Sequence, residues 1–158
     1  MDPTENDHAA VRLPPPLVYL AVIAAGVLLH AFVMPLPITL SLSIRIILTT
    51  LFAVLGLTLA GAAVGLFKKM EQDPKPWTPT PEIVSTGVYR FTRNPMYLGM
   101  ALLQFGIGVG LANAWVIVLL PLTLAAVHLT AIRHEEAYLE RKFGRAYADY
   151  KSSVRRWL

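Results

Sequence analysis

Four apolar runs dominate this sequence, and a lipid bilayer is the environment that accommodates them. Residues 17–34 carry no acid, lysine or arginine, and residues 44–67 carry only Arg45, at their start. At about 1.5 Å of rise per residue, each run is long enough to cross the hydrocarbon core as a helix. Residues 114–132 form a third run of similar length. Residues 98–111 form a fourth, short for a full crossing, which fits a tilted helical hairpin with its neighbour around Asn113. Lipid offers no hydrogen bonds to a bare backbone, so such segments fold as helices. The expected fold class is all-α: an integral membrane bundle of about four transmembrane helices plus a C-terminal amphipathic interfacial helix. A hydrophobic fraction of 55%, a charged fraction of 15% and a mean hydropathy of +0.53 agree with this.

The segments between the runs divide the chain. Residues 1–16, with Asp2, Glu5 and Asp7 ahead of Arg12 and Pro14-Pro15-Pro16, lack the charge order of a signal peptide and read as a frayed cytoplasmic leader. Residues 17–67 hold two spans, separated by the breaker Pro35-Leu36-Pro37. Within the second span Gly56, Gly61 and Gly65, interleaved with alanines, permit close helix packing. Residues 68–97 are a polar loop whose first part, KKMEQDPKPWTPTP, has four prolines and reads as extended, with Trp77 as an interfacial anchor. Residues 98–132 are the hairpin, kinked at Pro121. In residues 133–158, Leu139, Phe143, Tyr147 and Tyr150 recur at helical spacing among charges, the pattern of a helix lying at the membrane surface.

Charge gives the topology. Lys68, Lys69, Lys75, Arg90 and Arg93 lie in the 68–97 loop, and seven more of the 14 lysines and arginines lie after residue 132. The two remaining connectors, 35–43 and the turn at Asn113, have none. The loop, the tail and the N-terminus therefore belong on the cytoplasmic side. The basic pI of about 9.6 follows the span ends rather than marking a nucleic-acid site. The chain has no cysteine, which excludes disulfides, thiolate metal sites and cysteine nucleophiles. No two histidines have metal-ligand spacing, so no metal is expected.

Two polar stretches then fall on one membrane face. Residues 87–99, GVYRFTRNPMYLG, pack two arginines, an amide and two tyrosines into one short connector. Arg133-His134-Glu135-Glu136 leaves the last span at the same level. Paired carboxylates at a bilayer boundary are costly to desolvate without partners, and Arg90, Arg93 and Arg133 are at hand. The plainer reading is that the acids favour a helix N-terminus and pair with loop arginines. The chemical reading makes 87–99 one wall of a small-molecule site and the tail the other.

Gly87-x-Tyr89, Arg93-Asn94-Pro95-x-Tyr97-x-Gly99, and Glu135-Glu136-x-x-Leu139-x-x-x-Phe143-Gly144-x-x-Tyr147-x-x-Tyr150 together resemble the isoprenylcysteine carboxyl methyltransferases and the related membrane phospholipid methyltransferases. The resemblance covers residues 83–156. It implies a methyltransferase with S-adenosylmethionine as donor, held by a helical membrane protein. By this resemblance Val84, Tyr89, Arg93, Asn94, Pro95 and Tyr97 line the cofactor pocket, and Glu136 holds the cofactor from the other side. Gln104, Gly106 and Gly108 are matched to the cofactor-contacting span of the phospholipid enzymes. Arg133 and Glu135 are matched to the catalytic positions, Arg133 as a contact for a substrate carboxylate. Two departures stand out: the eukaryotic enzymes have histidine at Asn94 and at Pro81. Asn94 still donates and accepts hydrogen bonds, whereas Pro81 cannot replace an imidazole.

The implied acceptor is lipophilic and reached from the bilayer, either a carboxylate that Arg133 orients or an amine for which Glu135 or His134 takes the proton. The compact plan is that of a prokaryotic inner-membrane enzyme. Gly106-Ile107-Gly108-Val109-Gly110 sits inside a span, so it cannot be a dinucleotide-binding turn; helix packing is its plainer reading. A four-span transporter is the alternative from another class, and the spans' interiors offer it only His30 and His128 as ionisable groups. A non-catalytic adaptor would have no use for Asn-Pro-x-Tyr and Glu-Glu on one face.

Overall fold

The computed structural model describes residues 7–11, 13–75 and 77–158. Asp2, Glu5, Arg12 and Pro76, which the sequence reading used, lie outside the described residues. The chain is built from helices: α1 Pro15–Leu28, α2 Leu42–Lys69, α3 Pro95–Gly110, α4 Ala114–Val118, α5 Leu120–Val127, α6 Arg133–Phe143 and α7 Arg145–Ser153. A wide π turn, Leu29–Val33, extends α1, and a second, His128–Ile132, joins α5 to α6. Three helical runs are long and apolar enough to cross a membrane: Pro15–Val33, Leu42–Lys69 and Ala114–Phe143. The shorter apolar helix is α3, with 16 residues. Pro121 interrupts the last run as its missing N–H demands, and Leu119 separates α4 from α5.

α2 and α3 pack along most of their length because small residues let their backbones meet. A Cβ on Gly56 would lie 2.6 Å from the Gly99 carbonyl oxygen, and one on Gly99 would lie 2.7 Å from that of Gly56. Gly106 fits against Phe52 and Thr49 in the same seam, where Thr49 Oγ1 donates to the Gly106 carbonyl at 3.2 Å. Gly61 and Gly65 have nothing within 4 Å, so of the three glycines read as a packing series only Gly56 serves that end. Arg45 does not merely reach for an interface. Its guanidinium donates to the carbonyls of Val109, at 3.2 Å, and Gly110, adding side-chain donors to the C-terminal carbonyls of α3.

The uncharged connectors close the far end of the bundle. Ile38 N–H donates to the Ala112 carbonyl at 3.0 Å and Ala114 N–H to that of Leu36 at 2.9 Å. Asn113 caps α4 by accepting from Trp115 N–H at 3.0 Å, and its amide donates to the Gly26 carbonyl at 3.1 Å. Gln104, wholly buried, donates to the Val116 carbonyl at 2.9 Å beside the break in the last run.

At the near end lie the charged segments. The 133–158 stretch is two helices rather than one. Gly144 turns the chain between α6 and α7 with φ +52°, a left-handed conformation that glycine adopts without a Cβ penalty. The 7–11 segment departs from the expected frayed leader: Ala9 and Val11 are buried against Tyr97, Ile132 and Tyr138.

Candidate functional site

The site begins with a turn that only glycine starts comfortably. Gly87 has φ +57°, and a Cβ there would meet Leu66 Cδ1 at 2.8 Å. It opens the 3₁₀ turn Gly87–Arg90, which buries Tyr89 edge-on to Phe67, with ring centroids 5.8 Å apart. The chain then runs alongside the C-terminal segment. Arg93 N–H donates to the Arg155 carbonyl, and Thr92 Oγ1 and Asn94 Nδ2 both donate to that of Arg156, each at 3.0 Å. Pro95 follows as the first residue of α3, where its missing N–H costs nothing.

Behind this wall sits an ion cluster. Arg156 donates to Glu136 from Nε at 3.0 Å and from Nη2 at 2.8 Å, and Arg93 Nη1 lies 3.1 Å from Glu136 Oε1. In front of it, between α3, α6, α7 and the 70–86 connection, is a cleft of about 110 Å³, partly open to solvent. Tyr89, Tyr97, Tyr138, Tyr147 and Tyr150 all line it, so five of the chain's six tyrosines face one space. The sixth, Tyr19, donates to the Tyr97 carbonyl at 2.8 Å. Tyr150 is anchored by donating to the Tyr89 carbonyl at 2.8 Å. Burial pushes the Tyr147 phenol up to about 12 and raises those of Tyr89 and Tyr150 as well, so these rings are neutral donors near pH 7.

Glu135 is one of two acids on the cleft lining. It accepts the hydroxyl hydrogen of Tyr97, and among the described residues it has no ion-pair partner. The second carboxylate on the lining is Asp73, held well below the usual range by the backbone N–H and ammonium of Lys75.

Of the residues singled out in the sequence, Val84, Tyr89, Asn94, Tyr97 and Glu135 line this cleft together. Arg93 and Glu136 do not: they pair behind the wall, and Pro95 starts the helix that carries Tyr97. Arg133 is exposed and off the lining. Gln104, Gly106 and Gly108 stand apart, in contacts between helices; a Cβ on Gly108 would meet Ile117 Cγ1 at 2.6 Å. Sequence reasoning missed Asp73, Thr80 and Tyr138. Tyr138 lies three residues after Glu135, on the same helix face, which is a usable signal. Asp73 and Thr80 lie in a proline-rich stretch without periodicity and gave none.

Two comparisons bear on this arrangement. A profile of the phospholipid methyltransferase family matches residues 37–146. Over 65 residues the chain is 40% identical to an uncharacterized protein of Haemophilus influenzae (strain ATCC 51907 / DSM 11121 / KW20 / Rd), covering 40% of this chain and 100% of that one. Over 73 residues it is 34% identical to a probable protein-S-isoprenylcysteine O-methyltransferase of Oryza sativa subsp. indica. That match covers 46% of this chain but only 38% of the rice protein, and a japonica counterpart matches equally. No solved structure matches the chain.

Proposed function

Because the chain belongs to the phospholipid methyltransferase family and is a membrane methyltransferase, we propose that its tyrosine-lined cleft binds S-adenosylmethionine and delivers the methyl group to a lipophilic acceptor. The observation that carries this reading is the lining itself: five tyrosines and Glu135, an acid with no ion-pair partner among the described residues, at the charged end of an apolar bundle. The fit to the donor is chemical. A sulfonium cation is stabilised over aromatic faces by roughly 0.5–2 kcal/mol. Glu135 and Asp73 offer acceptors for ammonium and hydroxyl groups, and Asn94 adds an amide to the lining.

When bound, S-adenosylmethionine supplies a methyl group already activated as a leaving electrophile. The protein's own work is then alignment, which contributes up to about 7–11 kcal/mol in favourable reactions. Tyr97 fixes the Glu135 carboxylate through its hydroxyl, and Tyr19 fixes Tyr97 through its carbonyl. The tail segment after α7 holds Asn94 and, with it, the start of α3.

Two acceptor chemistries fit. Methylation of a carboxylate, as in the isoprenylcysteine enzymes, would use Arg133 to orient the anion, but that side chain is exposed and away from the lining. Methylation of an amine needs a group to take its proton, and Glu135 stands on the lining without an ion pair to any of the described residues. That observation favours the amine. Access from the bilayer would explain the embedding, with the charged end at the cytoplasmic face of a prokaryotic membrane.

The test is methyl transfer from labelled S-adenosylmethionine by detergent-purified protein, offered phosphatidylethanolamine or an S-prenylated cysteine. Label that survives mild base in the phospholipid fraction supports the amine. Label released as methanol supports the carboxylate. No transfer to either acceptor or to total lipid extract, from folded protein, contradicts the reading.

A further inference from the structure

One wall of the cleft is made differently from the others. Tyr97 and Glu135 stand on helices of the bundle, and the tail is locked by the Glu136 ion cluster. The remaining wall is where the 7–11 segment crosses: Ala9, 1% exposed, lines the cleft beside Tyr138 and Thr80.

A single hydroxyl joins these three chain segments. Tyr138 Oη accepts from Thr80 N–H at 3.0 Å and from Lys142 Nζ at 3.1 Å. Its own hydrogen is directed to Asp7, whose carbonyl oxygen lies at 3.2 Å and Oδ1 at 3.1 Å. Lys142 closes the ring by donating to both Asp7 carboxylate oxygens, at 2.6 and 2.8 Å. The hydroxyl's hydrogen-bonding capacity is full, so the segment is held in one register over the cleft.

The hold is light. Ala9 and Val11 are small side chains, and the Asp7 and Lys142 side chains are 48% and 26% exposed. An exposed pair of this kind contributes little, and a segment whose buried apolar side chains are only an alanine and a valine opens locally at lower cost than a helix of the bundle. Opening it would uncover the side of the cleft that Ala9 lines.

We propose that residues 7–11 are a strap over the cleft, latched by Asp7, Tyr138 and Lys142, whose opening sets the rate at which cofactor and its product exchange. The inference rests on the cofactor reading above and assigns the gate of that same site.

The test compares association and dissociation rates of S-adenosylhomocysteine for the wild type, Asp7→Asn and Lys142→Ala, by stopped flow on the full chain in nanodiscs. Weakening the latch should raise both rates together, roughly three- to tenfold, because a gate limits passage in both directions. The double variant should fall short of the product of the singles, since both break the Asp7–Lys142 contact. Faster release without faster association would mean that the latch only supports the bound state, and would overturn the gate. Unchanged rates would overturn it too. Absence of binding by the wild type would instead bring down the cofactor reading, and the strap with it.

A second readout does not depend on ligand binding. The chain has no cysteine, so Ala9→Cys gives one addressable thiol on the buried side of the strap itself. Maleimide should label it several-fold faster in the Lys142→Ala background than alone. Equal rates in the two backgrounds would contradict an opening strap.

Discussion

Arg156 grips Glu136 through two parallel hydrogen bonds, Nε to Oε1 at 3.0 Å and Nη2 to Oε2 at 2.8 Å, across 20 residues of sequence. Arg93 completes the cluster at 3.1 Å, so one carboxylate ties α6 to both the 87–99 connector and the tail. The geometry explains why two arginines accompany one acid. With the Glu136 and Arg93 side chains 12% and 9% exposed, either charge alone would be stranded away from water.

Glu136→Ala should therefore destabilise the protein by about 3 kcal/mol, the cost of leaving a buried charge unpaired. Thermal unfolding in detergent measures this. Glu136→Gln, which keeps acceptor and shape, should lose less. Equal stability of the alanine variant and the wild type would refute the assignment.

The glycines divide into two groups with opposite expected effects. Gly56→Ala or Gly99→Ala forces backbone against backbone and should cost about 1–3 kcal/mol or more. It should also weaken cofactor binding, because Gly99 lies two residues from Tyr97. Gly61→Ala and Gly65→Ala meet nothing, and alanine favours helix over glycine by roughly 0.5–1 kcal/mol. These two should leave melting temperature unchanged or raise it.

Three of the four expected spans were legible as helices long and apolar enough to cross, because the bilayer imposes a length and a composition that few other structures share; the fourth, α3, is the shorter apolar helix that residues 98–111 suggested. The convergence of Asn94 and Tyr97 with Glu135 was legible from charge topology. Three things were not. Gln104, Gly106 and Gly108 carry a small-and-polar pattern that serves cofactor contact and helix packing equally well in sequence, and packing is where the structure uses them. Gly144 sits within an amphipathic stripe whose periodicity continues past it, so the break between α6 and α7 was hidden. The 7–11 segment and the 70–86 connection have no periodicity at all. Their positions over the cleft come from tertiary contacts such as Thr80 with Tyr138, which no local pattern encodes.

Gly144→Ala isolates a backbone effect, since nothing lies within 4 Å of an added Cβ but φ is +52°. A cost of about 1–2 kcal/mol is expected. Because α7 carries Tyr147 and Tyr150, the variant should also bind cofactor more weakly than its stability loss alone implies.

Alkaline pH tests the buried phenols. The Tyr147 phenol is raised from 10.0 to about 12, chiefly by burial. The folded state therefore holds this proton where the unfolded chain releases it. Stability from this group is fully present below about pH 10 and is lost as pH rises toward 12. Tyr147→Phe should flatten that part of the stability–pH profile measured by thermal unfolding. An unchanged profile would mean that the ring is not buried as described.

The central claim is that the cleft around Glu135 binds the methyl donor. Calorimetric titration of S-adenosylhomocysteine into detergent-purified protein, with Glu135→Gln, Tyr97→Phe and Arg133→Ala alongside, tests it most directly. The account expects saturable one-to-one binding by the wild type. It expects a loss of about tenfold or more in Glu135→Gln, where a charge-assisted contact disappears. Tyr97→Phe should lose somewhat less, and Arg133→Ala should bind like the wild type. No binding by folded wild-type protein, or equal affinity in Glu135→Gln and the wild type, would contradict it.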